Sequence, residues 1–169
     1  MDREAERRAI HEGAATIVRL TGQPLLGWYC RYGPSEQTRE FVVEHGGFLY
    51  DSNSYADDLP YYTTVSMPDG ERRWLVVPYS LTVNDSKFWR GGLATGDDFF
   101  QAMKETFDTL YEEGAETPRL MNVGLHCRIA GQPGRANGLD RFIAYAQSHP
   151  NVWFAGRSDI ARTWREQFP

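Results

Sequence analysis

Three short apolar runs in this chain each end in a cluster of groups able to bind ligands or move protons. The sharpest is at 119–128, Arg-Leu-Met-Asn-Val-Gly-Leu-His-Cys-Arg. Leu120, Met121, Val123 and Leu125 form a nearly continuous apolar run, which predicts a strand buried on both faces, as in a parallel sheet flanked by helices. His126 and Arg128 follow at once, and 129–135 is a loop rich in glycine and proline. The strand therefore delivers an imidazole and a guanidinium at its C-terminal end, where α/β folds bind ligands. A hydrogen-bonded histidine at the edge of a core fits the same letters.

The second cluster, Tyr29, Cys30 and Arg31, follows a predicted strand at 25–29. The third, Asp51, Ser52, Tyr55, Asp57 and Asp58, follows one at 48–50. If the strands are parallel, all three clusters share one rim. A histidine, an arginine and carboxylates gathered there suit general acid–base work on a polar substrate. The plainer readings are a solvated turn for Asp57 and Asp58, since Asp favours loops, a surface ion pair for Arg31, and a small buried residue for Cys30. His11, His45 and His149 stand at charged, helix-terminal or turn positions. No His-x-x-x-His or Cys-x-x-Cys spacing occurs, so no metal ligands are assigned within the chain.

The elements that must position these clusters alternate along the chain. Helices are predicted over 2–20, from an N-cap at Ser35 to Glu44, from Thr95 to Glu113, over 138–147, and from a cap at Ser158 to Gln167. Thr95 and Asp98 form a capping-box pattern, and Phe100, Met103, Phe107, Leu110 and Tyr111 share a face. A last strand is predicted at 152–155. Residues 62–66 and 73–78 read as a β-hairpin turning at Asp69-Gly70, an insertion whose second arm continues into the main sheet. Residues 79–92, which include Asn84 and Asp85, read as a loop. The pattern is α/β with a mainly parallel sheet. It begins on a helix with no strand before it.

The totals fit one domain of 169 residues, 41% hydrophobic and 14% aromatic. With 18 basic and 23 acidic residues, a net charge of −5 and only paired arginines, the chain shows no nucleic-acid footprint. No apolar run is long enough to span a membrane, and the charged N-terminus lacks the core of a signal peptide. Two cysteines make no disulfide framework. A cytoplasmic protein with reduced thiols is the expectation.

With these residues in view, the chain resembles the polysaccharide-deacetylase superfamily with its NodB-type barrel, and within it the allantoinase-like branch. The resemblance is carried by Leu26-Gly-Trp-Tyr-Cys-Arg31, Val42-Val-Glu-His-Gly-Gly-Phe-Leu-Tyr-Asp-Ser52, Tyr55-Ala-Asp-Asp-Leu-Pro-Tyr61, Gly96-Asp-Asp-Phe-Phe100, Gly124-Leu-His-Cys-Arg128 and Gly131-x-Pro-Gly-Arg135, in the family's order. It implies part of a distorted (β/α) barrel of the glycoside hydrolase/deacetylase type, with the hairpin as an insertion. It also implies hydrolysis of a carbon–nitrogen bond other than a peptide bond. Under it, His126 is the general acid and Arg31 orients a catalytic aspartate. Asp51, Tyr55, Asp57, Asp58 and Arg128 then belong to the substrate groove.

The family's aspartate motif and paired-histidine motif have no counterpart here. The expectation is therefore that residues 1–169 are the C-terminal portion of the barrel, without its N-terminal half and inactive alone. They hold no cofactor of their own, and a divalent metal enters only if the missing half supplies ligands. The implied substrate is a small polar ureide such as allantoin, or alternatively an N-acetylated sugar of chitin or peptidoglycan type. The implied partner is the missing half, or a second copy meeting an open barrel edge.

Overall fold

The computed structural model describes residues 2–31 and 33–169. In chain order the elements are α1 (Arg3–Thr21), β1 (Gly27–Trp28), α2 (Thr38–His45), β2 (Tyr50–Asp51), β3 (Tyr61–Met67), β4 (Gly70–Val76), β5 (Val83–Asn84), α3 (Lys87–Arg90), α4 (Gly96–Glu113), β6 (Val123–Gly124), α5 (Cys127–Ala130), α6 (Pro133–Gln147) and α7 (Arg157–Gln167). They fall into two compact units, Met1–Tyr79 with Ala155–Pro169, and Ser80–Phe154.

The first unit is built on a sheet of order β1-β2-β4-β3. β1, β2 and β4 run parallel, with Trp28 opposite Asp51 and Asp51 opposite Val76. β3 is the antiparallel arm of the hairpin. The second arm joins the main sheet, as its apolar Trp74-Leu75-Val76 ending predicts. The turn itself is Pro68-Asp69, one residue earlier than expected, because Gly70 already pairs with Met67 at φ 127°. That angle is open to glycine and strained for other residues.

α1 starts on Asp2, whose Oδ1 accepts the Ala5 N–H at 2.8 Å, and ends at left-handed Gly22. It buries Ile10 and Ala14, while Ile17 and Val18 stay over 40% exposed. The core joins Ile10 and Ala14 to Phe41, Val42, Phe48, Val65, Trp74 and Val76. α2 begins at Thr38 rather than beside Ser35, and its cap position, Gln37, makes no side-chain cap bond. α7 follows Gly156, not Ser158.

The second unit pairs β5 and β6 in parallel, Val83 opposite Val123 and Asn84 opposite Gly124. α4 carries the predicted capping box: Thr95 Oγ1 accepts the Asp98 N–H at 3.1 Å, and Asp98 accepts the Thr95 N–H at 2.8 Å. Its buried stripe is Phe99, Met103 and Phe107, spaced by four, so Phe99 takes the place predicted for Phe100. With Phe142 and Ala146 of α6 they form this unit's core. Phe99 and Met103 are fully buried, each stabilising by about 1.5–3 kcal/mol.

Two glycines let α4 and α6 meet backbone to backbone. A Cβ on Gly96 would lie 2.1 Å from the Gly134 carbonyl oxygen, and one on Gly138 would lie 2.0 Å from that of Gly96.

Three further expectations change. The run at 119–128 forms only the two-residue β6, paired with β5 alone among the described residues. Leu125 is 49% exposed, so the strand is not buried on both faces. α6 begins at Pro133, five residues earlier than predicted, because proline is suited to the first helical turn. Residues 152–155 form no strand, and Trp153 and Phe154 are exposed.

Candidate active site

In the second unit, β5 and β6 place Asp85 and His126 one and two residues past their parallel ends. Asp85 is fully buried, and its carboxylate is organised around the histidine. Asp85 Oδ1 lies 2.6 Å from His126 Nδ1. Asp85 Oδ2 accepts the backbone N–H of His126 at 2.7 Å and that of Ala130 at 3.1 Å. The Asp85 N–H in turn donates to the Gly124 carbonyl at 3.0 Å, tying the two strand ends together.

A carboxylate can only accept, so the ring must donate from Nδ1. That leaves Nε2 as the ring nitrogen free of this contact. The imidazole is 26% exposed and the carboxylate beneath it 0% exposed, so the pair faces outward by its ring. A ring fixed in tautomer and plane, with a buried anion behind it to balance imidazolium charge, is equipped for general acid–base catalysis.

Asp85 was hidden within a predicted loop. Its signal was the run Val83-Asn84-Asp85, a β-branched residue leading into an acid, the same shape as Tyr50-Asp51. With only two paired residues, the strand was too short for an alternation test.

The first unit carries the other two clusters. β1 and β2 are parallel neighbours, so their C-terminal ends do share one edge. There the Tyr29 and Tyr55 hydroxyls are 2.8 Å apart, and the Cys30 N–H donates to Asn53 Oδ1 at 2.7 Å. Tyr79, just past β4, stacks on Tyr29 with centroids 5.3 Å apart and meets Tyr55 edge-on at 5.9 Å. Partial desolvation, with the Tyr55 hydrogen bond next, pushes the Tyr29 phenol up to about 12 although the side chain is not buried. Arg157 of α7 backs this cluster, donating to Ser52 Oγ and to the Val77 and Pro78 carbonyls at 2.9–3.1 Å. Burial pulls its guanidinium below the usual arginine range.

Asp51 itself is fully buried. It accepts from Arg39 Nε at 2.7 Å and Nη2 at 3.2 Å, from Trp74 Nε1 at 2.7 Å, and from the Asn53 N–H at 2.8 Å. Its bond to Arg39 raises the pKa of that guanidinium. The carboxylate thus joins α2, β2 and β4, and no face of it reaches solvent. Asp57 Oδ1 accepts the N–H groups of Asp58 and Leu59 at 2.7 and 3.1 Å, a turn geometry, and both acids are exposed. Tyr55 and Arg31 are exposed on the same unit. Burial, with Glu6 second, raises the Cys30 thiol above its usual range, against a thiolate nucleophile. Arg128, in the second unit, lies over Trp89 at 5.0 Å.

Among the described residues no three His, Cys, Asp or Glu side chains gather as metal ligands. These residues by themselves do not fit a metal ion. Both cysteines are free. No helix is long and apolar enough to cross a membrane.

Comparison with known proteins gives a consistent set of relatives. A protein of Schizosaccharomyces pombe named "Putative polysaccharide deacetylase" is 42% identical over 127 residues, covering 71% of this chain and 40% of the relative. The crystal structure of a "probable Polysaccharide deacetylase" from Pseudomonas aeruginosa PAO1 matches all of this chain and 56% of its own, at 48% identity and a TM-score of 0.90. The crystal structure of PuuE allantoinase matches all of this chain and 55% of its own, at 47% identity and a TM-score of 0.91. No family model matches the chain. It spans about half the length of the relatives it matches, and its fold is part of their deacetylase-type barrel, with the sheets of the two units left open.

Proposed function

Since this chain belongs to the polysaccharide-deacetylase superfamily, we propose that it supplies the general-acid half of a hydrolase acting on carbon–nitrogen bonds other than peptide bonds. The observation that carries the reading is the Asp85–His126 pair, with three hydrogen bonds onto one buried carboxylate. In the reaction, water adds to the carbonyl carbon and gives a tetrahedral intermediate. As the intermediate collapses, His126 donates its Nε2 proton to the leaving nitrogen and the carbon–nitrogen bond breaks. Asp85 holds the Nδ1 proton throughout and offsets the imidazolium charge before transfer.

The added water needs a base. Under this reading it comes from the part of the relatives that these 169 residues do not span, and Arg31 orients it. That part of the relatives, or a second copy on an open strand edge, is the proposed partner. The chain by itself is proposed not to hydrolyse the substrate.

Allantoin is the proposed substrate. It is small and polar, its ring amide suits arginine and hydroxyl hydrogen bonds, and two free thiols fit a cytoplasmic setting. The exposed rings of Tyr29 and Tyr55, at 42% and 56%, favour an N-acetylated sugar as the second reading, since sugar rings pack on aromatic faces.

The test is complementation. The purified chain is combined with the remaining segment of PuuE allantoinase and assayed on allantoin and on N-acetylglucosamine oligomers. Hydrolysis of allantoin that His126→Gln lowers by about a hundredfold or more is expected, the scale of a lost general acid. Full activity after that substitution, or turnover by the 169 residues alone, contradicts the reading.

A further inference from the structure

We propose that the hollow at the start of α6, in the second unit, binds a small oxyanion, either a phosphate or a carboxylate group. The hollow measures about 750 Å³ and is lined by Trp89, Thr95, Arg128, Gln132, Gly134 and Arg135, among others. Its two arginines carry the inference. Each lies on an aromatic face, Arg128 5.0 Å from the Trp89 centroid and Arg135 4.3 Å from that of Phe88. Stacking of this kind fixes the plane of a guanidinium while its N–H edge stays available to an acceptor.

Among the described residues neither arginine forms an ion pair, whereas Arg39, Arg119 and Arg141 each have a carboxylate. No acid lines the hollow. Asp98, next to its wall, is occupied by the Ala94 and Thr95 N–H groups at the α4 cap. Two guanidiniums on the wall of one hollow, with no carboxylate in its lining, match a planar or tetrahedral oxyanion.

The backbone adds to this. α6 starts at Pro133, so the Gly134 N–H belongs to the first turn, where helix donors lack intrahelical partners. A Cβ at Gly134 would touch nothing within 4 Å, so the wall is open there. The whole chain carries a net charge of −5, so anion attraction at this point is local rather than a property of a basic surface. His126 does not line the hollow, whereas Arg128, which the family resemblance puts in the substrate groove, does.

The experiment titrates the ¹⁵N-labelled 169-residue chain with inorganic phosphate and, separately, with acetate at constant ionic strength. Saturable shifts centred on the Gly134 and Gly96 amides are expected. Arg128→Gln or Arg135→Gln should weaken the apparent Kd about tenfold or more, with Arg162→Gln unchanged. Saturation by phosphate alone supports a phosphate-bearing ligand, and saturation by acetate alone a carboxylate. Non-saturating or scattered shifts, which are read on the unsubstituted chain even if the arginine variants fail to fold, overturn the proposal. So does an unchanged Kd in both arginine variants. His126→Gln separates this proposal from the hydrolytic one. Phosphate binding should persist in it, and its loss would place the anion at the imidazole and overturn the proposal.

Discussion

Replacing Asp51 with asparagine keeps the shape of a fully buried side chain and removes its charge. In the native protein four donors converge on the carboxylate: Arg39 Nε and Trp74 Nε1 on Oδ2, Arg39 Nη2 and the Asn53 N–H on Oδ1. An asparagine amide has one acceptor oxygen. Whichever way it is turned, its NH₂ group faces two of those four donors, so two hydrogen bonds are lost and replaced by donor–donor contacts. One of the two always involves Arg39, whose side chain is 30% exposed and can turn partly to water. The other leaves a buried indole or backbone N–H unsatisfied, at about 1–3 kcal/mol. With the lost charge of the ion pair, the whole change comes to about 3–4 kcal/mol, within the range for removing one partner of a buried pair. Urea unfolding of the 169-residue chain, followed by tryptophan fluorescence and far-UV circular dichroism, measures it. Trp74→Phe, which removes one of the four donors, should cost less, about 1–2 kcal/mol. A loss below about 1 kcal/mol for Asp51→Asn would refute the view that this carboxylate holds α2, β2 and β4 together.

Gly138→Ala reverses the usual sign of a glycine-to-alanine change inside a helix. The added Cβ would lie 2.0 Å from the Gly96 carbonyl oxygen, so α4 and α6 must separate, and thermal unfolding should show a loss of about 2 kcal/mol or more. At the α4 cap, N–H bonds from Thr95 and Ala94 hold the Asp98 carboxyl below its usual range. A depressed folded-state pKa contributes stability that is present above the unfolded-state value and lost as pH falls through the folded one. Asp98→Asn should therefore destabilise at neutral pH and match the parent in acid; an equal deficit at both would show that the charge of Asp98 is not what matters.

Much of the fold was legible because it rests on long helical periodicities and strong caps. The Thr95–Asp98 capping box and the inward Met103 and Phe107 of α4 each act within one element, so local letters determine them. That the hairpin's second arm joins the main sheet followed from its apolar ending. What was not legible depends on partners distant in sequence. The 119–128 run has the composition of a strand buried on both faces, yet with β5 alone beside it Leu125 is exposed. Asp51 is placed on the rim because it follows a strand, and in the substrate groove by the family resemblance; nothing local announces that Arg39 and Trp74 enclose it. Asp85 was missed for the converse reason, since its partner stands 41 residues away. His126 stands out in the sequence by its strand-end position, whereas the Asp85 contact is a product of the β5–β6 pairing.

The central claim is that Asp85 accepts a hydrogen bond from the Nδ1–H of His126, keeping that proton on Nδ1 and leaving Nε2 for chemistry. Long-range ¹H–¹⁵N correlation of the His126 ring, at a pH where the ring is neutral, measures this on the 169-residue chain. A proton on Nδ1 is predicted for the native sequence, with the population moving to Nε2 in Asp85→Asn, whose amide can donate to Nδ1. A native ring protonated on Nε2, or a tautomer indifferent to residue 85, would contradict the account.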